Sequence, residues 1–231
     1  MSGQTFTLSY PWDTNGYKPE TVFTLRLGED AFFLHVTVKE KNPRRVETRP
    51  MHFVHTDSCA EWFVQFQPRT CAWYFNFEVN SNGAMYASFR KDRAQYRELT
   101  AEELETMHIR AAVHEDFWEV SYQVPFALIR AYIPEFTASD GAVGTNGDGG
   151  QDLQSGQGRQ NGQGWQNGQG REGLPASSKP GKLIRANFYK CGDDTAYPHY
   201  GMWRPFQSDK PDFHRPEEFG EIWLVAEEGH G

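Results

Sequence analysis

Apolar and polar residues alternate with a period of two in ten short runs: Thr5–Tyr10, Thr21–Leu27, Ala31–Lys39, Ala60–Gln67, Ala72–Val79, Ala84–Arg90, His108–His114, Phe117–Val124, Lys182–Lys190 and Glu221–Ala226. Successive side chains of an extended strand point to opposite faces, so each run predicts a strand with one buried side. Turn residues separate the runs, the pattern of a sandwich or barrel. Asn82-Gly83 between two runs predicts a hairpin with a type I′ turn, in which both central residues take positive φ. Only two helical pieces fit: Thr100-Ala-Glu-Glu-Leu offers an N-cap with Glu at the third position, and Pro125-Phe-Ala-Leu-Ile-Arg puts proline at a first turn. The expected fold class is all-β, an antiparallel β-sandwich of jelly-roll or immunoglobulin-like kind, with one or two short helices.

From Thr137 to Pro180 the alternation stops and Gly, Gln, Asn, Asp and Ser dominate, with imperfect hexads at Arg159 and Trp165. So little apolar surface cannot offset chain entropy, and the segment is expected to be disordered. The run of strand signals after it is too short for an ordinary domain. The chain is therefore read as a single domain over 1–231, interrupted by a low-complexity loop at 137–180.

Parity separates two faces in three strands. Trp73, Phe75, Phe77 and Val79 point one way and Tyr74, Asn76, Glu78 and Asn80 the other; Trp62, Val64 and Phe66 oppose Glu61, Phe63 and Gln65; Ile184, Ala186 and Phe188 oppose Arg185, Asn187 and Tyr189. The first sets are core. The second sets carry carboxylate, amide, guanidinium and phenol groups, the mixture that matches sugar hydroxyls while rings pack on the sugar's C–H face. A plain alternative is an exposed sheet on which Arg185 pairs with Glu61 or Glu78. The segment Cys191–Gly220 lacks alternation and is dense in aromatics and proline, which predicts a rigid loop whose Trp203, Phe206, Phe213 and His214 line a pocket beside the polar face, or else plug the open end of the sandwich.

Composition narrows the function. A formal charge of −8 and the absence of any long Lys/Arg run leave no footprint for nucleic acid. The start MSGQTFTLSYPWD has no basic and then apolar leader, and no stretch is apolar enough to span a membrane, so the chain as written reads as cytoplasmic. Cys59, Cys71 and Cys191 form neither a CxxC pair nor an even set, and buried reduced thiols are expected. Eight histidines, among them His35, His52, His55, His199 and His214, show no ligand spacing, which leaves any metal unknown. No GxSxG, HExxH, P-loop or dinucleotide motif is present.

The motifs Asp57-Ser-Cys-Ala-Glu-Trp-Phe, Tyr74-Phe-Asn-Phe-Glu-Val-Asn, Ala186-Asn-Phe-Tyr-Lys-Cys-Gly-Asp and Pro211-Asp-Phe-His-Arg-Pro-Glu-Glu-Phe-Gly resemble the family 9 carbohydrate-binding modules, in particular their stand-alone family 9-like branch. The resemblance runs from about Tyr10 to Val225 and skips the Gly/Gln insertion. It implies a β-sandwich that binds glucose- or xylose-type sugars, often at a chain end. In the xylanase-attached members a sugar lies between two tryptophans and is fixed by polar residues that include a Glu and an Arg. Along this resemblance Glu61 stands at the Glu, Glu78 where the family has the Arg, and His55 and Phe213 where it has the tryptophans; Trp203 is a further platform. The resemblance also implies structural calcium, with no ligand set here to carry it.

The expected function is non-catalytic binding of a mono- or oligosaccharide by His55, Glu61, Tyr74, Asn76, Glu78, Arg185, Asn187, Tyr189, Trp203, Phe213 and His214, with no catalytic residue, no other cofactor, and a monomeric chain. Two other classes stay open: a glycoside hydrolase using Glu61 and Glu78, which needs its carboxylates roughly 5 to 10 Å apart, and a protein-interaction module that has lost the sugar site.

Overall fold

Where the sequence alternates the backbone is extended, and the two faces of each strand meet different surroundings. The computed structural model describes residues 3–141 and 181–226. Its strands are β1 (Gln4–Thr7), β2 (Thr21–Leu27), β3 (Ala31–Val38), β4 (Cys59–Gln65), β5 (Tyr74–Asn80), β6 (Met85–Arg90), β7 (Tyr96–Glu98), β8 (Arg110–Val113), β9 (Trp118–Pro125), β10 (Gly181–Cys191), β11 (Tyr200–Met202) and β12 (Gly220–Val225). Two short helices, α1 (Ala101–Glu105) and α2 (Phe126–Tyr132), follow β7 and β9. All pairings are antiparallel, in one sheet ordered β1-β2-β3-β9-β8 and another ordered β11-β10-β4-β5-β6-β7, with β12 beside the first half of β10.

Between the sheets lies an aromatic core. Phe6, Phe23, Phe32 and Trp118 of the first sheet meet Trp62, Phe66, Phe75, Phe77 and Phe188 of the second. Phe6 stacks on Phe188 with ring centroids 4.5 Å apart, and Phe32 packs on Phe66 at 4.8 Å. The parity read from the sequence holds, but the sheets differ on their outer faces. β2 and β9 alternate buried and half-buried residues, whereas β4 and β5 are buried on both sides. Loops cover the outer face of the second sheet, and that cover builds the site.

Several local expectations change. The β5–β6 connection is not a type I′ turn: Gly83 has φ of 83° while Asn82 keeps negative φ, and the Asn80 side chain accepts from the backbone of Asn82 and Ala84. Gly83 N–H donates to the Asn80 carbonyl, so three residues close the hairpin with glycine at the left-handed position. The strands β7 and β11 had no alternating run to reveal them; each is three residues long and pairs with an edge. Cys191–Gly220 thus contains a strand, and Pro216–Glu218 forms one 3-10 turn. The start of α1 agrees with the sequence, since Thr100 and Glu103 form a reciprocal capping box, whereas Pro125 is the extended N-cap residue of α2 and not part of its first turn. Residues 142–180 of the expected insertion lie outside the described residues. Its first residues are part of the fold, since Asp140 N–H donates to Gly181 O at 2.8 Å and Gly181 N–H to Gly141 O at 3.0 Å.

Candidate functional site

On the covered face of the second sheet, side chains at paired positions line up in rungs across the strands. The first rung is Tyr200, Cys191, Cys59 and Asn80; the second is Tyr189, Glu61, Glu78 and Tyr86; the third is Asn187, Phe63, Asn76 and Ser88; the fourth is Tyr74, Arg90 and Tyr96. Two loops close over this ladder. The loop before β4 is tied down by buried Asp57, which accepts from Glu47 N–H at 2.8 Å and Asn80 Nδ2 at 3.0 Å and pairs with Arg44. That loop presents Met51, His52, Phe53 and His55. The segment before β12 lays Phe213 flat on Tyr189, ring centroids 4.1 Å apart, and sets His214 over Phe63.

Between the loops a cavity of about 600 Å³ remains. Glu61, Phe63, Glu78 and Cys191 form its floor, Arg90, Arg93 and Asp212 one side, Asp193 and Tyr200 another, and Phe53, Tyr86, Tyr96 and Phe213 supply rings. A relay fixes the polar groups: Asn76 Nδ2 donates to Glu78 Oε1 at 2.6 Å, Ser88 Oγ donates to Asn76 Oδ1, and Arg90 Nε donates to Ser88 Oγ at 2.8 Å. Arg90 also lies over the Tyr96 ring at 4.8 Å. Arg93 pairs with Asp212 at 2.5 Å.

Burial and neighbours set the protonation. Burial pushes Glu61 well above the ordinary carboxylate range, with Cys191 and Glu78 adding to the effect. Burial likewise raises Asp193. His55 is raised by the Glu78 carboxylate 3.8 Å from its Nδ1. His214 is lowered to about 3 by burial and then by Arg90 and Arg93, so the Tyr74 hydroxyl, 2.9 Å from Nδ1, meets a neutral ring. The cavity therefore brings the Glu78 carboxyl and the Arg90 and Arg93 guanidinium groups onto one lining.

Of the residues singled out from the sequence, His55, Glu61, Glu78, Phe213 and His214 line this cavity. Tyr74, Asn76 and Tyr189 lie beneath it: Tyr189 donates to Phe213 O at 3.1 Å, and all three brace lining residues. Three lie elsewhere. Arg185 donates to the carbonyls of Glu217 and Phe219, and pairs with neither Glu61 nor Glu78. Asn187 is consumed by the backbone of Arg204, to which it both donates and accepts. Trp203 packs edge-on against Phe6 at 4.9 Å and against Phe188, so its half-buried ring closes the border of the sandwich core. Phe206 sits on Trp12, outside the lining.

Arg90, Tyr86, Arg93, Asp212, Asp193 and Phe53 are lining residues that the sequence reading did not single out. Parity in Ala84–Arg90 already placed Tyr86, Ser88 and Arg90 on one face; Arg93 and Asp212, far apart in the chain, had no such signal.

Among the described residues, the side chains of the metal-binding kinds that converge tightly are Cys59, Glu61 and Cys191. Two sulfurs do not suit calcium, which takes six to eight oxygens. No helix among the described residues is long and apolar enough to cross a membrane.

The family model described as "Carbohydrate-binding family 9" matches residues 5–140 and 175–224. No curated protein matches the sequence. Among solved structures, a candidate carbohydrate-binding protein from Bacteroides uniformis ATCC 8492 is similar at a TM-score of 0.68 and 23% identity, over 97% of this chain and 86% of that one. A family 9 carbohydrate-binding module from Caldicellulosiruptor kristjanssonii in complex with glucose gives 0.50 and 11% over 96% of this chain and 86% of its own. The same organism's module with cellotriose gives 0.53 and 11% over 98% and 84%. At these identities the structural likeness speaks for the fold.

Proposed function

The chain belongs to carbohydrate-binding family 9, and from that premise we propose that its cavity holds a glucose- or xylose-type mono- or oligosaccharide without transforming it. The observation that carries this reading is the gathering of polar groups and rings in one cavity: Glu78 accepts, Arg90 donates, and Phe53 and Phe213 offer apolar faces. A pyranose needs that combination, because its hydroxyls are donors and acceptors around the rim while its C–H faces are apolar. At about 600 Å³ the cavity has the size of ligand sites, about 300–1,000 Å³. The Asn76–Ser88 relay holds Glu78 and Arg90 in place before a ligand arrives, which reduces the entropy lost on binding. The modules from Caldicellulosiruptor kristjanssonii in complex with glucose and with cellotriose support this ligand class.

Isothermal titration of the full chain with glucose, xylose and cellotriose tests it. Saturable heat at one site is expected, and Glu78→Gln and Arg90→Gln each weaken binding tenfold or more, about 1.4 kcal/mol. Absence of heat with these sugars and with a broad glycan panel overturns the reading.

A further inference from the structure

We propose that Cys59, Glu61 and Cys191 form a binding site for a thiophilic divalent cation of the zinc class in the cavity floor. Cys59 and Glu61 are two apart on β4 and share a face, and Cys191 is the paired position opposite Cys59 on β10. One sulfur from each cysteine and one oxygen of Glu61 lie within 4.8 Å of one another. Zinc bonds of about 2.3 Å to sulfur and about 2.0–2.2 Å to oxygen put tetrahedral donors about 3.5–3.8 Å apart, so small side-chain rotations on a rigid sheet close the site. All three residues are buried, and Cys191 and Glu61 also line the cavity, which gives an ion a path in.

The surroundings fit an ion better than an inert thiol pair. Among the described residues, the side-chain hydrogen bond to the Glu61 carboxyl comes from Cys191 Sγ at 3.0 Å, a weak donor for a group with about four acceptor positions. Directly across the sheet stands a second carboxyl, Glu78, so a cation here has a further acidic group beside it. The nearby ammonium of Lys190 is engaged by Ser58, His199 and Glu40. Sulfur ligation selects zinc-class ions over calcium or magnesium. On binding, each thiol and the Glu61 carboxyl release their protons to solvent as the two sulfurs and the oxygen take the metal. Glu61 needs one oxygen for this, so a sugar can still use the other.

The test uses the full chain, reduced and stripped of metal, without sugar, so that its result is independent of carbohydrate binding. Cobalt(II) is titrated and thiolate-to-metal charge-transfer absorption recorded. Saturation at one cobalt per chain, reversal by zinc, loss in Cys191→Ser and retention in Cys71→Ser are expected. Circular dichroism confirms that the variants are folded. If Cys191→Ser does not fold, peptide mapping of alkylation in the native chain replaces it, with zinc protecting Cys59 and Cys191 but not Cys71. Absence of the band, a band that survives Cys191→Ser, zinc that leaves Cys59 and Cys191 alkylation unchanged, or an intact mass two hydrogens light from a Cys59–Cys191 disulfide in the purified chain overturns the proposal.

Discussion

Glu61 and Glu78 stand directly opposite each other on adjacent strands, two carboxyl groups on one cavity floor, and their surroundings separate them. Glu78 accepts from Asn76 and faces His55, while Glu61 is buried against a thiol. Its raised pKa means that the folded chain binds a proton the unfolded chain has given up. The stability from this group is full below the ordinary value of 4.5 and is lost as pH rises toward the raised folded value, at up to about 1.4 kcal/mol per pH unit. Glu61→Gln removes that dependence. Thermal melts of metal-free protein should find the variant more stable than wild type at pH 8, with the gap shrinking toward pH 4.5. Parallel pH profiles for the two proteins contradict the assignment.

His55 is the complementary case. Glu78 raises its pKa, so its contribution to stability is present below the ordinary value of 6.5 and fades as pH rises through the raised folded value. Glu78→Gln removes the main cause and should move the His55 titration, followed by its ring protons in NMR, to lower pH. An unmoved midpoint means that Asp193 and Asp194 carry the effect instead.

The strand ladder was legible because alternation is a local signal. Parity alone assigned Trp62, Phe75 and Phe188 to the core, and Glu61 and Glu78 to the other face. What covers that other face was not legible. Arg185 and Asn187 share parity with Tyr189 yet meet loop carbonyls, because the segment from 203 to 219 brings its backbone over them, whereas over Tyr189 it lays the Phe213 ring beside the cavity. Phe53 and the Arg93–Asp212 pair sit on loops whose placement depends on distant anchors such as Asp57. Loop closure over a sheet is a non-local event that periodicity does not encode.

Phe53 is a ring that the fold does not need. It is 73% exposed at the cavity mouth, edge-on to His55. Phe53→Ala should leave stability within about 0.5 kcal/mol, as surface substitutions usually do. Its loss should weaken sugar binding about tenfold through the missing apolar platform. Titration calorimetry paired with a melt separates the two effects, and unchanged affinity assigns stacking to Phe213 alone.

Beneath the floor, Lys190 is fully buried, donating to Ser58 Oγ at 3.0 Å and Cys191 O at 2.8 Å, with Glu40 at 3.5 Å and His199 Nε2 at 2.6 Å. Lys190→Met strands the Glu40 carboxylate in the interior and should cost about 3–5 kcal/mol in urea denaturation. Adding Glu40→Gln should recover part of that loss, because the uncompensated charge is then gone. A double variant no more stable than Lys190→Met shows that packing, not charge, sets the cost.

Trp203 separates the sheet's two sides. As a sugar platform it would govern affinity, but its half-buried ring packs on Phe6 and Phe188 at the border of the core, and the Cβ of any residue replacing Gly220 would meet it at 2.9 Å. Trp203→Ala should therefore lower stability by up to about 3 kcal/mol, the lower end of the range for large aromatic truncations in a core, because the ring is half-buried. For a domain of this size each kcal/mol corresponds to about 2–4 °C in melting temperature. Sugar affinity, measured below the variant's melting transition, should stay within about twofold of wild type, since the cavity floor stands on Glu61, Glu78 and Phe63 of neighbouring strands. Strongly reduced affinity with a normal melt would return Trp203 to the binding site and require the segment after β11 to rearrange when a sugar binds.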